Sequence, residues 1–189
     1  MKRDKFFDFD NLISWDIFPS TCLLDGATTQ TLKARDKYCS ILNTWQDKDI
    51  HKFILDDGNV GDLIKGMLDE EYSEYLACFA TDSKNKPLGV AVISLPSNKT
   101  STIEYVIIDP KQRRKGIGTR MLKSITENLI DFSYRFNKAN QLYATARKDN
   151  EGSIKALLKS NFVVKPSPRQ GTLDYKEFYF NLKDKNMNM

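Results

Sequence analysis

The sequence predicts a mixed α/β (α+β) fold: a mostly antiparallel twisted sheet, two parallel strands near its centre, and flanking helices. Three observations carry this. Between Tyr72 and Asp109 the pattern becomes that of strands, in three short apolar-rich runs broken by turn residues. From Gly116 the period becomes helical and stays so to about Phe136. The remainder alternates between strand-length apolar runs and one more short helical pattern.

In chain order, residues 1 to about 20 are rich in aromatics, with Phe6, Phe7, Phe9, Trp15 and Phe18, and are expected to pack on the domain or on a partner subunit. Thr28 to Trp45 reads as a helix, with Leu32, Arg35/Asp36, Cys39, Leu42 and Trp45 spaced by three and four. Asp49–Leu55 and Val60–Leu68 read as short helices separated by Asp57-Gly58-Asn59. Tyr72–Thr81 and Leu88–Leu95 form a hairpin around Asp82–Pro87, and Pro96–Ser101 turns the chain into a third strand, Thr102–Asp109. On that strand Ile103, Tyr105 and Ile107 share one face, and Glu104, Val106 and Ile108 the other. The long helix keeps Ile117, Met121, Ile125, Leu129, Phe132 and Phe136 on one stripe. Gln141–Arg147 is a strand, parallel to Thr102–Asp109 across a right-handed helical crossover. Glu151–Ser160 is a helix with Asn150 or Asp149 as N-cap. Phe162–Lys165 and Tyr175–Leu182 are strands around a loop holding Pro166, Pro168 and Gly171.

The 189 residues suit one domain, with about 1–50 as an N-terminal extension on the acceptor side and 72–182 as the core. No apolar run is long enough to span a membrane, and Asp4, Asp8 and Asp10 interrupt what would otherwise begin like a signal peptide. One histidine, His51, excludes multi-histidine metal sites, and no metal is expected. Cys22, Cys39 and Cys78 are dispersed, with no CxxC, which fits reduced thiols in a cytoplasm. The net charge of +4 is too small to announce nucleic acid, which is not expected as a partner. The charge is uneven, however. Asp56, Asp57, Asp62, Asp69, Glu70, Glu71 and Glu74 face Lys65 alone in residues 56–74, so that segment carries about −6 and the rest about +10. Such a segment suits either a solvated face or the attraction of a cationic substrate.

The stretch that carries chemistry runs from Ile108 to Arg120. A strand ends, Pro110 breaks the ladder, and Lys111-Gln112-Arg113-Arg114-Lys115-Gly116-Ile117-Gly118-Thr119 opens a helix. The first turn of a helix has unpaired N–H groups and partial positive charge, glycines allow close backbone approach, and Arg113, Arg114 and Lys115 add charge. The result is a cradle for an anion. GxxxxGK[ST] is absent and GxGxxG fails after Gly118, leaving RxxGxG over Arg113–Gly118.

This pattern resembles the acyl-CoA signature [RQ]-x-x-G-x-[GA] that follows the fourth strand of the GCN5-related N-acetyltransferases (GNAT), and the resemblance covers about residues 72–182. A second stretch, Asn150 to Phe162, is similar to that family's N-x-x-[AS]-x-x-x-Y-x-x-x-G-F. Asn150, Ser153 and Phe162 match; Leu157 replaces the tyrosine and Asn161 the glycine. Asparagine tolerates the left-handed backbone a helix end wants. The tyrosine is the proposed general acid of many family members, so Leu157 leaves that role open.

The resemblance implies central strands splayed around acyl-CoA, and an acetyl-CoA-dependent transfer to a primary amine of a small molecule or peptide by direct attack on the thioester. The backbone N–H of Ile108 or Ile107 would meet the carbonyl oxygen as it gains charge. Arg113, Arg114, Lys115, Gly116, Ile117, Gly118 and Thr119 would hold the pyrophosphate, and Asn150 and Ser153 would line the pantetheine. An alkyl amine of pKa about 10.4 must lose a proton before it attacks. Glu104, on the same face as Ile108, is the candidate base, with Glu74 a second; the alternative for Glu104 is a strand glutamate paired with a lysine. A thiol of pKa about 8.5 leaves readily, and water, Tyr143 or Tyr175 would protonate it. The acidic 56–74 segment precedes the hairpin, where the family builds its acceptor site, which implies a cationic acceptor. A non-catalytic acyl-CoA-binding module is the competing reading, and the chain is expected to be a monomer or homodimer.

Overall fold

The structure is a computed structural model and describes residues 14–19, 29–54, 58–70, 74–95, 99–135, 139–165 and 174–182, with side chains on the helix that begins at Ile117 described as far as residue 127. The elements in chain order are β1 (Ser14–Pro19), α1 (Thr29–Leu42), α2 (Lys48–Phe53), α3 (Val60–Asp69), β2 (Tyr75–Thr81), β3 (Pro87–Ser94), β4 (Thr100–Ile108), α4 (Ile117–Arg135), β5 (Gln141–Arg147), α5 (Glu151–Lys159), β6 (Val163–Val164) and β7 (Tyr175–Asn181). The seven strands form one mixed sheet in the order β1-β2-β3-β4-β5-β7-β6. Among the described residues no helix is long and apolar enough to cross a membrane. The expectations placed on Phe6, Phe7, Phe9, Cys22 and the Pro166–Gly171 loop lie outside the described residues, as do those on the side chains of Trp15, Leu129, Phe132 and Phe136. The chain packs as two compact units, Met1–Ser94 with Tyr105–Ile117, and Leu95–Glu104 with Gly118–Met189.

In the first unit β1, β2 and β3 are an antiparallel meander: Ser14 pairs with Thr81 and Pro19 with Leu76, while Tyr75 pairs with Ser94. Every residue of β2 after Tyr75 is buried, which is why its sequence, YLACFAT, is almost continuously apolar instead of alternating. The hairpin turn is held by Asp82, whose carboxylate accepts from the N–H groups of Lys84 (2.8 Å) and Lys86 (2.9 Å). The core gathers Leu42, Ile50, Val60, Ile64 and Leu68 from the helices, and Phe79, Val90, Val92 and Ile107 from the sheet. Phe18, Tyr38 and Phe79 meet edge-on or tilted, with ring centroids 5.1–5.7 Å apart. β1 is the element the sequence reading did not assign. It carries a buried acid in mid-strand, Asp16, whose carboxylate receives the hydroxyl of Tyr38 on α1.

α1 and α3 pack closely because of one residue. A Cβ built on Gly61 would lie 2.6 Å from the carbonyl carbon of Cys39, and closer still to its oxygen and to Asn43 Oδ1. Asn43, just past the end of α1, accepts from the backbone N–H of Asp62 (3.1 Å) and donates to its carboxylate (2.9 Å). The first turn of α3 is thus capped from the neighbouring helix, since Asn59, its own N-cap residue, makes no side-chain cap bond.

In the second unit β4 and β5 are parallel, as the crossover predicts, with Thr100–Ile103 opposite Gln141–Ala144. That ladder covers four residues of each strand. β4 runs on to Ile108 and β5 to Arg147, past its end. β7 pairs antiparallel with the whole of β5, and β6 adds two residues at its far side. Met121, Leu122 and Ile125 of α4 and Leu157 of α5 are buried, as are Leu142, Ala144, Ala146 and Phe178 of the strands.

Candidate functional site

The chain after β4 is held before it is charged. Asp109, 4% exposed, donates its N–H to the carbonyl of Leu88 on β3 (3.0 Å). Its carboxylate accepts from the N–H of Lys111 (2.9 Å), and its carbonyl accepts from Gln112 (2.7 Å). Pro110 opens this single 3₁₀ turn, where its missing N–H costs nothing. The backbone then turns left-handed twice, at Arg114 (φ 62°) and at Gly116 (φ 77°). Gly116 is free to do this; for Arg114 it costs on the order of 1 kcal/mol, so the surroundings must hold it there. Left-handed residues interleaved with extended or helical ones turn successive N–H groups toward one side, the arrangement of an anion-binding concavity. Helix α4 starts at Ile117, with its first four N–H groups unclaimed by intrahelical bonds and no acidic residue in its first turn.

The side chains divide by role. Arg114, Lys115 and Gly116 are exposed, Gly118 and Thr119 half-buried, and Ile117 buried. Lys115 Nζ reaches Gln112 Oε1 at 2.8 Å. Arg113 does not stand free beside them. Its Nη1 donates to Asp47 Oδ2 (2.6 Å) and Asp49 Oδ2 (3.0 Å), and its Nη2 to Asp47 Oδ1 (3.3 Å). Its charge is matched by two carboxylates before any ligand arrives. Asp47 also caps α2, accepting from the N–H groups of Asp49 (3.1 Å) and Ile50 (2.9 Å).

On β4, Glu104 is exposed, Ile107 buried and Ile108 half-buried. Among the described residues no lysine or arginine pairs with Glu104. Thr102 stands opposite Tyr143 near the start of β5, and the Tyr143 ring meets that of Tyr179 at a tilt of 51°, with centroids 5.3 Å apart. Burial and the nearby Glu177 push the Tyr143 phenol above its ordinary range, so it stays protonated at neutral pH. Tyr175, the other tyrosine considered as a proton donor, is exposed and pairs with Arg147 at the opposite end of β5. His51 and Glu74 are exposed.

Asn150 is the N-cap of α5, and its Oδ1 accepts from the N–H of Ser153 at 3.1 Å. That fixes the amide orientation and leaves Nδ2 as a donor, so the group can meet a carbonyl. Seven residues on, Leu157 is 5% exposed. The helix ends as the sequence reading expects of Asn161, which is left-handed (φ 63°). Phe162 N–H bonds to Leu157 C=O (3.1 Å) and Asn161 N–H to Leu158 C=O (3.1 Å), the paired bonds of a Schellman ending, with Phe162 and Leu157 both buried. Ser160 Oγ, in the same turn, reaches the carbonyls of Ala156 (2.8 Å) and of Thr119 in the first turn of α4 (3.2 Å).

Of the acidic segment, Asp56, Asp57 and Glu71 lie outside the described residues. Asp69 is held by Arg35 Nη1 at 2.7 Å, and Asp62 by Asn43 and Asn59, which keep its carboxyl below the usual carboxylate range. Glu70 and Glu74 are exposed. Sequence reasoning missed Asp47 and Asp49. Asp47 two residues before Asp49-Ile50 has the look of an N-cap, but its hold on a residue 66 positions away leaves no local trace.

The sequence model of the Acetyltransferase (GNAT) family matches residues 35–162, a span that enters both units. No curated protein matches the sequence. Among solved structures, the GNAT domain of PAT from S. lividans is similar at TM-score 0.62 and 9% identity, with 89% of this chain and 90% of that one covered. Spermidine N-acetyltransferase from Vibrio cholerae, solved with CoA and spermine, is similar at 0.59 and 11%, over 91% and 98%. A GNAT-family acetyltransferase from Bacillus anthracis follows at 0.56 and 14%, over 89% and 95%. At these identities the likeness is one of fold.

Proposed function

From the premise that the chain belongs to the GNAT acetyltransferase family, we propose that it moves an acetyl group from acetyl-CoA to a primary amine by direct attack on the thioester, in the cytoplasm, as one N-acetyltransferase domain. The observation that carries this is the backbone from Arg113 to Thr119: two left-handed residues leading into a helix start free of acids. The N–H groups of Gly116 to Thr119 hold the pyrophosphate, with Arg114 and Lys115 supplying charge. Asn150 Nδ2 donates to a pantetheine carbonyl, and Ser153 lies beside it. Acetyl-CoA supplies the activated acyl group and a leaving group that needs little acid help. The N–H of Ile108, with Ile107 beside it, meets the thioester oxygen as charge develops. Glu104, exposed and with no lysine or arginine partner among the described residues, takes the amine proton directly or through water.

The acceptor is a cationic amine. Its attraction rests on Glu70 and Glu74, because Asp69 is already neutralised by Arg35. The solved spermidine N-acetyltransferase with spermine bound supports a polyamine-like acceptor. Neutralising Glu70 and Glu74 is expected to raise KM for a cationic acceptor and leave KM for acetyl-CoA unchanged.

One observation favours a second reading, an acyl-CoA-binding module without turnover: the buried leucine at the family's tyrosine position. A melting experiment followed by an amine panel separates the two. At a hundredfold excess over Kd a specific ligand adds about 2.7 kcal/mol, or roughly 5–10 °C for a domain of this size. A shift with acetyl-CoA and CoA but not NAD, followed by thiol release with polyamines, supports the transferase. The same shift with no thiol release from any amine selects the binding module, and no shift with millimolar acetyl-CoA removes both.

A further inference from the structure

The sequence pattern directs attention to Arg113 as a ligand-facing cation, yet its side chain is only about a quarter exposed and its guanidinium is engaged by Asp47 and Asp49. The bond to Asp47 is charge-assisted and two-pronged, the geometry in which arginine is most specific. Asp47 is itself immobile, because its Oδ1 is committed to two N–H groups at the start of α2. Upstream, Asp109 ties the same loop to β3. Between the fixed point at Arg113 and the start of α4 lie the two residues with positive φ, one of which, Arg114, needs external support to stay there.

We propose that Asp47 is a positioning residue for the acyl-CoA loop: the carboxylate that starts α2 holds Arg113, and through it the loop backbone, in the shape that receives the pyrophosphate. Arg113 serves the site as a strut, and the cations that face the ligand are Arg114 and Lys115. Asp49, with a single contact to the same guanidinium, is an auxiliary support. The inference rests on the acyl-CoA reading of the loop, but its core claim concerns the free protein.

The test is Asp47→Asn, Arg113→Gln and the double variant. Asparagine caps helices as well as aspartate does, so Asp47→Asn keeps α2 started and removes only the charged clamp; Arg113→Gln leaves the cap untouched. Two readouts are taken. In the protein without ligand, backbone amide exchange at Arg114–Gly118 is expected to speed up at least tenfold in each variant while the melting temperature moves by no more than 2–3 °C. In the second arm, CoA Kd and KM for acetyl-CoA are expected to rise about tenfold with kcat within twofold of wild type, and the double variant is expected to be no worse than the worse single one. Unchanged loop exchange overturns the proposal, and so do losses that add fully in the double variant, which would show Arg113 acting on the ligand independently of Asp47. Failure of the wild type to bind CoA would sink the acetyltransferase reading alone, because the exchange arm decides the strut without any ligand.

Discussion

Gly61→Ala sets two physical effects against each other with opposite signs. At the second residue of α3, replacing glycine by alanine should stabilise the helix by up to about 1 kcal/mol on propensity alone. The structure predicts the reverse, because the new Cβ would sit 2.6 Å from the carbonyl carbon of Cys39, inside the 3.0 Å below which real Cβ atoms essentially never approach a neighbour, and closer still to the Cys39 oxygen. The clash is with backbone, so no side chain can swing aside, and α3 must retreat from α1. The contact it leaves is formed by Cys39, Leu42, Val60, Ile64 and Leu68, all nearly or wholly buried. Overpacking of this kind costs about 1–3 kcal/mol, and more where rigid backbone is involved. Breaking the bond from Asp62 N–H to Asn43 adds about 1 kcal/mol. After subtracting the propensity gain, a net loss of about 1–3 kcal/mol remains, or roughly 2–12 °C in melting temperature at this chain length. Gly66→Ala is the control: it lies on the same helix with nothing within 4 Å of the built Cβ, and should be neutral or stabilising by up to about 1 kcal/mol. Urea unfolding of both variants decides the matter. If Gly61→Ala behaves like Gly66→Ala, α1 and α3 do not approach as described.

Three further outcomes are expected. Arg114→Gly removes a cation from the loop while relieving a positive φ, so KM for acetyl-CoA should rise severalfold without loss of stability; a fall in melting temperature would show that the arginine side chain, and not the backbone, holds the turn. Leu157→Tyr should change the rate modestly, because a thiolate leaves with little help, and should cost about 1–3 kcal/mol because a ring must enter a buried site; a gain of several hundredfold would show that the enzyme lacks an acid it needs. Burial pushes the Cys39 thiol up to about 11 and Cys78 to about 12, so in native protein at pH 8 at most one of the three thiols should react with a disulfide reagent, and all three after denaturation. The sign for stability follows: below pH 9 both forms of the protein hold these protons, above it the unfolded chain releases them first, and stability should fall as pH rises from about 9 toward 11.

What could be read from the sequence was what neighbouring residues decide among themselves. The strands, the start of α4, the capping by Asn150 and the left-handed Asn161 each follow from side chains within a few positions: Gln141–Arg147 appears at the expected bounds, the other expected strands and the start of α4 lie within one to three residues of theirs, and Asn150 and Asn161 do what the pattern asks of them. β1 was missed because Asp16 and Pro19 are poor strand residues by local measure; Asp16 is satisfied in its buried strand by Tyr38, 22 residues away. Arg113 was legible as part of a loop but not as a strut, since its partners come from 64 and 66 positions upstream. The acidic segment looked like a uniform field in sequence, and tertiary pairing divides it: Asp69 is held by Arg35, while Glu70 and Glu74 are exposed.

The cap on α5 has a consequence beyond the helix it begins. With Oδ1 of Asn150 pinned to the Ser153 amide, the planar side chain has no remaining freedom to present its oxygen elsewhere, and its two N–H bonds point in directions set by the helix axis. Aspartate would start the helix as well, and so nearly would serine, but neither has a donor of this kind on the far side of the group. A screen that scores folding alone would therefore treat several residues as equivalent at position 150, and only a carbonyl approaching from outside would tell them apart.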